Sequence, residues 1–243
     1  MGAVYQKRFY RDWFKSIDLV FFDVCELETD LRIGASRNLY NEALNSVKKY
    51  RKQLEGYIKE NTRFLKSLEP IEVEGDVPVI IKRMVETSAK AGVGPMAAVA
   101  GAIAEMVGME LLQYSDEVIV ENGGDIFIKT NVPRKVGIYA GNSPLSGKIA
   151  IKIYPEETPA GICTSSGTVG HSLSFGKADA VVVVSRDAFL ADAVATAVGN
   201  RVKNPSGIKD AVDFAAGIDS VEGVLVIIGD KLGAWGKIEL VGM

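Results

Sequence analysis

The order of the predicted secondary structure constrains the fold of this chain more than any other feature. β-type runs at 5–11 and 17–34 come first, helical patterns follow, and short β-type runs fill most of the chain beyond residue 114. Strands followed by helices and then by strands, without alternating βαβ units, are typical of α+β proteins. The sequence therefore predicts an α+β fold.

Three helices are predicted before residue 114. Apolar residues recur at spacings of three and four over 37–66, which indicates one amphipathic helix. We interpret its basic run (Lys48, Lys49, Arg51 and Lys52) as a solvated helix face rather than a binding patch. A second helix is predicted over 78–91. A third, over 95–112, has little charge and many small residues, so it should be buried and let other groups approach its backbone closely.

The rest of the chain completes a single expected domain over residues 1–243. Strands are predicted at 117–121, 124–129, 135–140, 148–154, 180–185, 223–229 and 234–241, and helices at 188–202 and 206–216. No repeat or clear linker divides the sequence. Within the domain we distinguish a mildly basic strand–helix region, 1–70, and a core motif region, 93–200.

Scarce histidine and cysteine exclude several kinds of site. One His and two Cys cannot supply the four ligands of a structural zinc site, nor a disulfide framework. The formal net charge of −3 argues against a nucleic-acid partner. The amino-terminal sequence has no apolar signal core, and the charge-free stretch 91–104 is shorter than the roughly 20 residues that a membrane span needs. We therefore expect no membrane partner and a cytoplasmic location.

Two glycine-containing segments are candidate ligand sites. The first is Asn122-Gly123-Gly124-Asp125, which is either a hairpin turn or a backbone concavity that a ligand can approach closely. The second is the segment 163–172, which holds five hydroxyl groups, a thiol and the only histidine. Its candidate residues are Cys163, Thr164, Ser165, Ser166, Gly167 and His171.

The 163–172 segment has several interpretations. Its N–H and hydroxyl donors suit a phosphate or another anion, but a polar loop with internal hydrogen bonds fits equally well. A Ser/His hydrolase is a weaker alternative, because nothing identifies a carboxylate that would orient His171. Cys163 is more often a small buried apolar side chain than a nucleophile.

Asp192 and Thr196 are the third candidate site. They are four residues apart in a helical segment that is otherwise almost entirely apolar, so they share one helix face. A buried carboxylate needs a hydrogen-bond network or a cation. A carboxylate and a hydroxyl suit Mg²⁺ completed by water, carbonyl and phosphate oxygens, and a hydrogen-bonded aspartate is the alternative.

Taken in order, these segments resemble the ApbE-like superfamily of flavin transferases, which use FAD and Mg²⁺. The segments are VAGAIAE at 99–105, ENGGDI at 121–126, TSSG at 164–167 and DAVAT at 192–196. The resemblance implies an α+β fold with a T-fold-like architecture, in which helices pack on largely antiparallel sheets. It also implies that Asp192 and Thr196 bind Mg²⁺ through their side chains, with a backbone carbonyl near Val99 or Ala100. The turn 122–125 and the loop 164–167 would line the FAD site.

The segments TSSGTVGHSLSFGKADAVVVVS and ETDLRI resemble, in particular, a cytoplasmic branch of that superfamily from archaea and anaerobic bacteria. Some of its members are associated with sulfide-dependent homocysteine formation. The chain differs from the family pattern at Ala100, where the family has Lys, at Glu105, where it has Asp, and after His171, where Asp-Pro-x-Thr-Gly is missing.

These observations lead to three functional hypotheses. The first is an ApbE-like protein that binds a phosphorylated ligand, a flavin nucleotide with Mg²⁺, and acts in anaerobic homocysteine biosynthesis. The second is a catalytically degenerate binding or partner protein, and the third is a sulfur-handling enzyme that uses Cys163. Cys163 and His171 are the candidate catalytic residues. The expected partners are a small-molecule or nucleotide ligand and either a second copy of the chain or a protein of sulfur assimilation.

Overall fold

Three layers of secondary structure form the part of the chain that the computed structural model describes, namely residues 11, 18–167 and 175–243. The strands are β1 (Val20–Glu26), β2 (Thr29–Ala35), β3 (Val118–Asn122), β4 (Asp125–Lys129), β5 (Arg134–Gly137), β6 (Ile149–Ile153), β7 (Ala160–Ser165), β8 (Ala180–Ser185), β9 (Val221–Ile228), β10 (Lys231–Gly236) and β11 (Glu239–Gly242). The helices are α1 (Tyr40–Glu60), α2 (Thr62–Lys66), α3 (Val79–Ala91), α4 (Val99–Leu111), α5 (Ala188–Arg201) and α6 (Ile208–Ala216).

Both sheets are antiparallel throughout the described residues. The large sheet has the order β1-β2-β3-β4-β7-β8-β9-β10, and the small sheet has the order β11-β6-β5. Every neighbouring pair in both sheets runs antiparallel. The expected α+β fold, with helices packed on antiparallel sheets, is confirmed.

The large sheet separates two apolar cores. Val118 and Val120 on β3 point to the helices, and Ile119 between them belongs to the core under the small sheet, together with Ile151 and Ile153 of β6. This alternation follows from the two-residue period of a strand. A strand covered on both faces needs apolar residues at every position, which explains the continuous valine run of β8.

The first residue of helix α5 is in close contact with both α4 and β7. A Cβ atom at Gly101 on α4 would lie 2.3 Å from the Ala188 carbonyl oxygen, and one at Gly161 on β7 would lie 2.3 Å from the Ala188 Cα. Only glycine permits such close contact. The expected close approach to the backbone of the small-residue helix is therefore made by the first residue of α5.

Three segments differ from the sequence prediction. The single helix expected over 37–66 is divided into α1 and α2 at Asn61. The strand expected over 234–241 is also two strands, because Gly236 has φ +77° and ends β10 before β11 begins. The segment 163–172, which the sequence predicts as a polar loop, begins on a strand, because residues 160–165 form β7. The strand expected at 5–11 lies outside the described residues, apart from Arg11.

The basic run of α1 is largely neutralised within the protein. Lys49 forms an ion pair with Glu110 at 2.5 Å, and Arg51 pairs with Glu28 at 2.6 Å and with Glu55 at 2.7 Å. This fits the interpretation of the run as a helix face rather than a binding patch.

Among the described helices, none alone is long and apolar enough to cross a bilayer. The helices Val79–Ala91 and Pro95–Leu111 are long and apolar enough only when taken together, and the chain bends by 102° between them.

Candidate functional site

The hairpin between β3 and β4 places two candidate side chains beside the start of α4. Asn122 and Asp125 are directly paired across the hairpin, so they lie on the same face of the sheet, towards the helices. The Asn122 side-chain amide donates a hydrogen bond to the Ala100 carbonyl oxygen at 3.1 Å. Gly123 and Gly124, with φ values of +69° and +108°, form the two-residue turn between them. The segment is thus a hairpin turn, and it also lines the candidate site.

Asp192 reaches the amino-terminal turn of α4 from the neighbouring helix. Its Oδ2 atom accepts a hydrogen bond from the Gly101 backbone N–H at 2.8 Å, and the residue is only 8% exposed. Burial raises the pKa of the Asp192 carboxyl to about 7, although backbone N–H groups of Gly101 and Ala100 favour its charged form. The two hydrogen bonds therefore offset only part of the cost of burying this charge.

Asp125 is a second buried carboxylate close to Asp192. Its Oδ1 atom accepts a hydrogen bond from the Thr164 backbone N–H at 3.1 Å. Burial raises the pKa of Asp125 well above its ordinary value and the charge on Asp192 raises it further, against the hydrogen bonds from Thr164 and Cys163. Within the described residues, neither carboxylate forms an ion pair with a lysine or an arginine. When both are ionised, these two buried carboxylates concentrate negative charge with no basic partner among the described residues.

Cys163 lies on β7 under the helices and is fully buried. Its sulfur lies 3.5 Å from the Ala188 carbonyl oxygen and is also within hydrogen-bond reach of the Asp125 carboxylate, so its single proton can be donated to either acceptor. Burial, and then the charges on Asp125 and Asp192, raise the pKa of this thiol well above its ordinary value. The thiolate, which is the nucleophilic form, is therefore strongly disfavoured.

The hydroxyl-rich segment is divided between the two faces of the sheet. Cys163 belongs to the core under the helices, and Thr164 follows on the strand, so the side chain of Thr164 points to the opposite face. The side chain of Ser165 returns to the helix side, where its Oγ lies 3.3 Å from the position of a Cβ at Gly199. Beyond the strand, Ser166 and Gly167 are partly exposed, and the Gly167 N–H is bonded to the Ala178 carbonyl.

The remaining predicted site residues are placed as follows. Thr196 is half-buried on α5, one turn after Asp192, and Val99 is the first residue of α4. His171 lies outside the described residues. The structure thus brings Asn122, Asp125 and Asp192 to the start of α4, while Thr164 contributes its backbone N–H rather than its hydroxyl.

The donor set of this site fits a hard cation. It combines two buried carboxylates, the Thr196 hydroxyl on the same helix face as Asp192, and the backbone carbonyls at the start of α4. Mg²⁺ prefers such oxygen ligands and usually keeps several waters. The described residues contain no group of three or more His, Cys, Asp or Glu side chains that could hold a metal. A cation here would therefore depend on ligand and water oxygens as well as on the protein.

Two further carboxylates support the site without lining it, and neither was selected from the sequence. Glu105 on α4 accepts a hydrogen bond from the Ala188 N–H at 2.7 Å and pairs with Arg83 at 2.6 Å, so it holds the start of α5. Glu121 accepts a hydrogen bond from the Gly124 N–H at 2.9 Å. Glu105 is a lone charge between the apolar runs 91–104 and 106–109, and this is the sequence signal that could have identified it, whereas Glu121 adjoins the polar turn 122–125 and gives no such signal.

Comparison with known proteins identifies the family. A family model described as AbpE bacteria matches residues 11–220. The chain belongs to this family. The expected resemblance to ApbE-like proteins is thereby confirmed.

This chain is also similar to UPF0280 proteins of two organisms. A UPF0280 protein of Methanocella arvoryzae is 42% identical over 212 residues, which cover 87% of this chain and 86% of the relative. A UPF0280 protein of Methanocaldococcus jannaschii is 40% identical over 232 residues, covering 93% and 92%.

Solved structures support the same fold at low sequence identity. The apo flavinyl transferase ApbE of Pseudomonas stutzeri aligns with a TM-score of 0.61 at 12% identity, covering 90% of this chain and 94% of that protein. A variant of the flavin transferase ApbE of Vibrio cholerae aligns with a TM-score of 0.59 at 14% identity, covering 90% and 97%. At this identity the similarity establishes the fold alone.

Proposed function

We propose that this protein binds a flavin nucleotide together with Mg²⁺ at the site between α4, α5 and the β3–β4 hairpin. The observation that carries the proposal is the pair of buried carboxylates, Asp125 and Asp192, which have raised pKa values and no described basic partner. Buried charges of this kind are usually compensated by a cation or remain protonated. The similarity to flavin transferases suggests which ligand would bring the cation.

Each side chain has a separate task in this proposal. Asp192 and the Thr196 hydroxyl would hold Mg²⁺ with a carbonyl oxygen at Val99 or Ala100. Asn122 fixes that carbonyl region through its bond to Ala100. The turn glycines and the backbone at 164–167 would line the nucleotide, because they present main chain without bulky side chains. Bound Mg²⁺ would neutralise phosphate charge, which is its usual contribution to phosphoryl transfer.

A calorimetric titration with FAD tests the proposal directly. We expect the wild-type protein to bind FAD when Mg²⁺ is present and to bind it at least about tenfold more weakly in EDTA. The Asp192→Ala variant should lose the difference between the two conditions, because it lacks the carboxylate that holds the cation.

The control is Asp213→Asn, which removes an exposed carboxylate paired with Lys209 on α6. It should bind FAD and Mg²⁺ like the wild type. Absence of FAD binding by the wild type would refute the flavin proposal, and Mg²⁺-independent binding would refute the role given to Asp192.

The other interpretations of the sequence stay proposals of lower rank. A catalytically degenerate binding protein would bind FAD without transferring a flavin. Use of Cys163 or His171 in catalysis stays a prediction, and the raised pKa of the buried Cys163 thiol weighs against the sulfur-handling enzyme. A cytoplasmic location, a homodimer and a protein partner in sulfur assimilation also stay predictions.

As the metabolic setting we retain the sulfide-dependent formation of homocysteine that the family resemblance implies. An assay of homocysteine formed from aspartate semialdehyde, sulfide and a two-electron reductant, which the conversion of an aldehyde to a thiol requires, with and without this protein, would decide it.

A further inference from the structure

A buried carboxylate holds the site hairpin from the side of the sheet opposite the site. Glu121 precedes Asn122 on β3, so the two side chains point to opposite faces of the sheet. Asn122 faces α4, whereas Glu121 is 1% exposed on the other face. Its Oε1 atom accepts a hydrogen bond from the Gly124 N–H at 2.9 Å. Glu121 therefore bonds to the turn without entering the site.

The orientation of the turn depends on this hydrogen bond. Gly124 has φ +108°, a conformation that only glycine adopts readily, and it directly precedes Asp125. The Gly124 N–H would otherwise have to find another acceptor at the tip of the hairpin. A charged acceptor makes the strongest kind of hydrogen bond to a backbone N–H. Glu121 thus defines the backbone from which the Asp125 side chain projects.

Arg11 supplies the countercharge that makes a buried carboxylate tolerable at this position. Its Nε atom donates to Glu121 Oε2 at 2.7 Å, and its remaining nitrogens donate to the Asp30 carboxylate and carbonyl, each at 2.7 Å. The Arg11 side chain is only 11% exposed. Breaking one partner of such a buried pair leaves an uncompensated charge. Arg11 therefore holds Glu121 across 110 positions of sequence.

We propose that Glu121 is a positioning residue that sets the geometry of the Asn122–Asp125 turn for ligand binding, with Arg11 as its countercharge. The proposal rests on the proposed function, because it assigns to the turn a ligand that the turn must fit. It predicts that replacing Glu121 weakens ligand binding more than replacing the carboxylate of a comparable ion pair near the start of β3.

The test compares Glu121→Gln with Glu117→Gln. Glu117, just before β3, is also mostly buried and pairs with Arg134 at 2.9 Å, but it does not bond to the turn. Two quantities are measured on full-length protein at a temperature where both variants are folded: the FAD dissociation constant in Mg²⁺, and the hydrogen exchange rate of the Gly124 amide. In Glu121→Gln, one of the two carboxylate oxygens becomes an NH2 group. Because the Gly124 N–H and the Arg11 N–H bond to different oxygens of Glu121, the amide can accept one of these bonds but not both.

We expect Glu121→Gln to weaken FAD binding by about tenfold or more and to accelerate Gly124 exchange by a similar factor. Glu117→Gln should change neither by more than about twofold, even where it lowers the melting temperature equally. Unchanged affinity and exchange in Glu121→Gln, or equal effects in both variants, would overturn the positioning role. If the wild type binds no FAD, the proposed function fails, and Gly124 exchange alone then decides whether Glu121 holds the turn.

Discussion

Replacing Asp192 with asparagine should stabilise the metal-free protein above neutral pH. The pKa of the folded-state carboxyl is about 7, against its ordinary value of 3.8 in an unfolded chain. Between these values the folded protein retains a proton that the unfolded chain has released. The contribution of this group to stability is therefore fully present below about pH 4 and is lost as the pH rises through 7. The difference between the folded and unfolded pKa values corresponds to about 4 kcal/mol in the free energy of unfolding.

Urea denaturation in EDTA, repeated from pH 4 to pH 8, measures this loss. The wild type should lose stability over that range more steeply than Asp192→Asn, which cannot ionise at this position. The difference between them should approach about 4 kcal/mol, reduced by any relaxation of Asp125. Adding Mg²⁺ at pH 8 should stabilise the wild type and leave the variant unchanged. Parallel pH profiles for the two proteins in EDTA would refute the electrostatic argument.

Two other substitution and labelling experiments follow from close packing at the site. Gly101→Ala should lower stability by about 1–3 kcal/mol, because its Cβ would lie 2.3 Å from the Ala188 carbonyl oxygen. Gly56→Ala, with nothing within 4 Å, should instead raise stability by up to about 1 kcal/mol in urea denaturation. In thiol labelling at pH 8, exposed Cys25 should react in the native protein and buried Cys163 only after denaturation. Rapid native labelling of Cys163 would contradict its buried placement.

Local patterns in the sequence predict most of the helices and part of the site, although they miss the break at Asn61 between α1 and α2. The helix predicted over 78–91 is α3, Val79–Ala91, because its apolar spacing and the following Gly92 mark its face and end. Asp192 was identified as a lone charge in an apolar helix, and Asn122 as part of a turn. The order of the family motifs, and not any local pattern, indicated that these two residues lie together at α4.

The parts that were missed depend on contacts between distant segments. Strand β7 carries Thr164 and Ser165 at its end, and hydroxyl-rich composition is typical of loops, whereas its place between β4 and β8 makes it a strand. The bond between Arg11 and Glu121 joins residues 110 positions apart, so no spacing rule could indicate it. Contacts between segments that are far apart in the sequence determine both.

The last strand has a consequence for the order in which the chain folds during synthesis. β11 pairs with β6, which was made much earlier, and Leu240 on β11 packs on the core beneath the small sheet. The core under the helices needs nothing beyond β9, whose Val226 belongs to it. A nascent chain can thus complete its helix-covered half while the other side of the large sheet stays partly uncovered. Until β11 is made, the part of the core beneath the small sheet that Leu240 covers stays exposed.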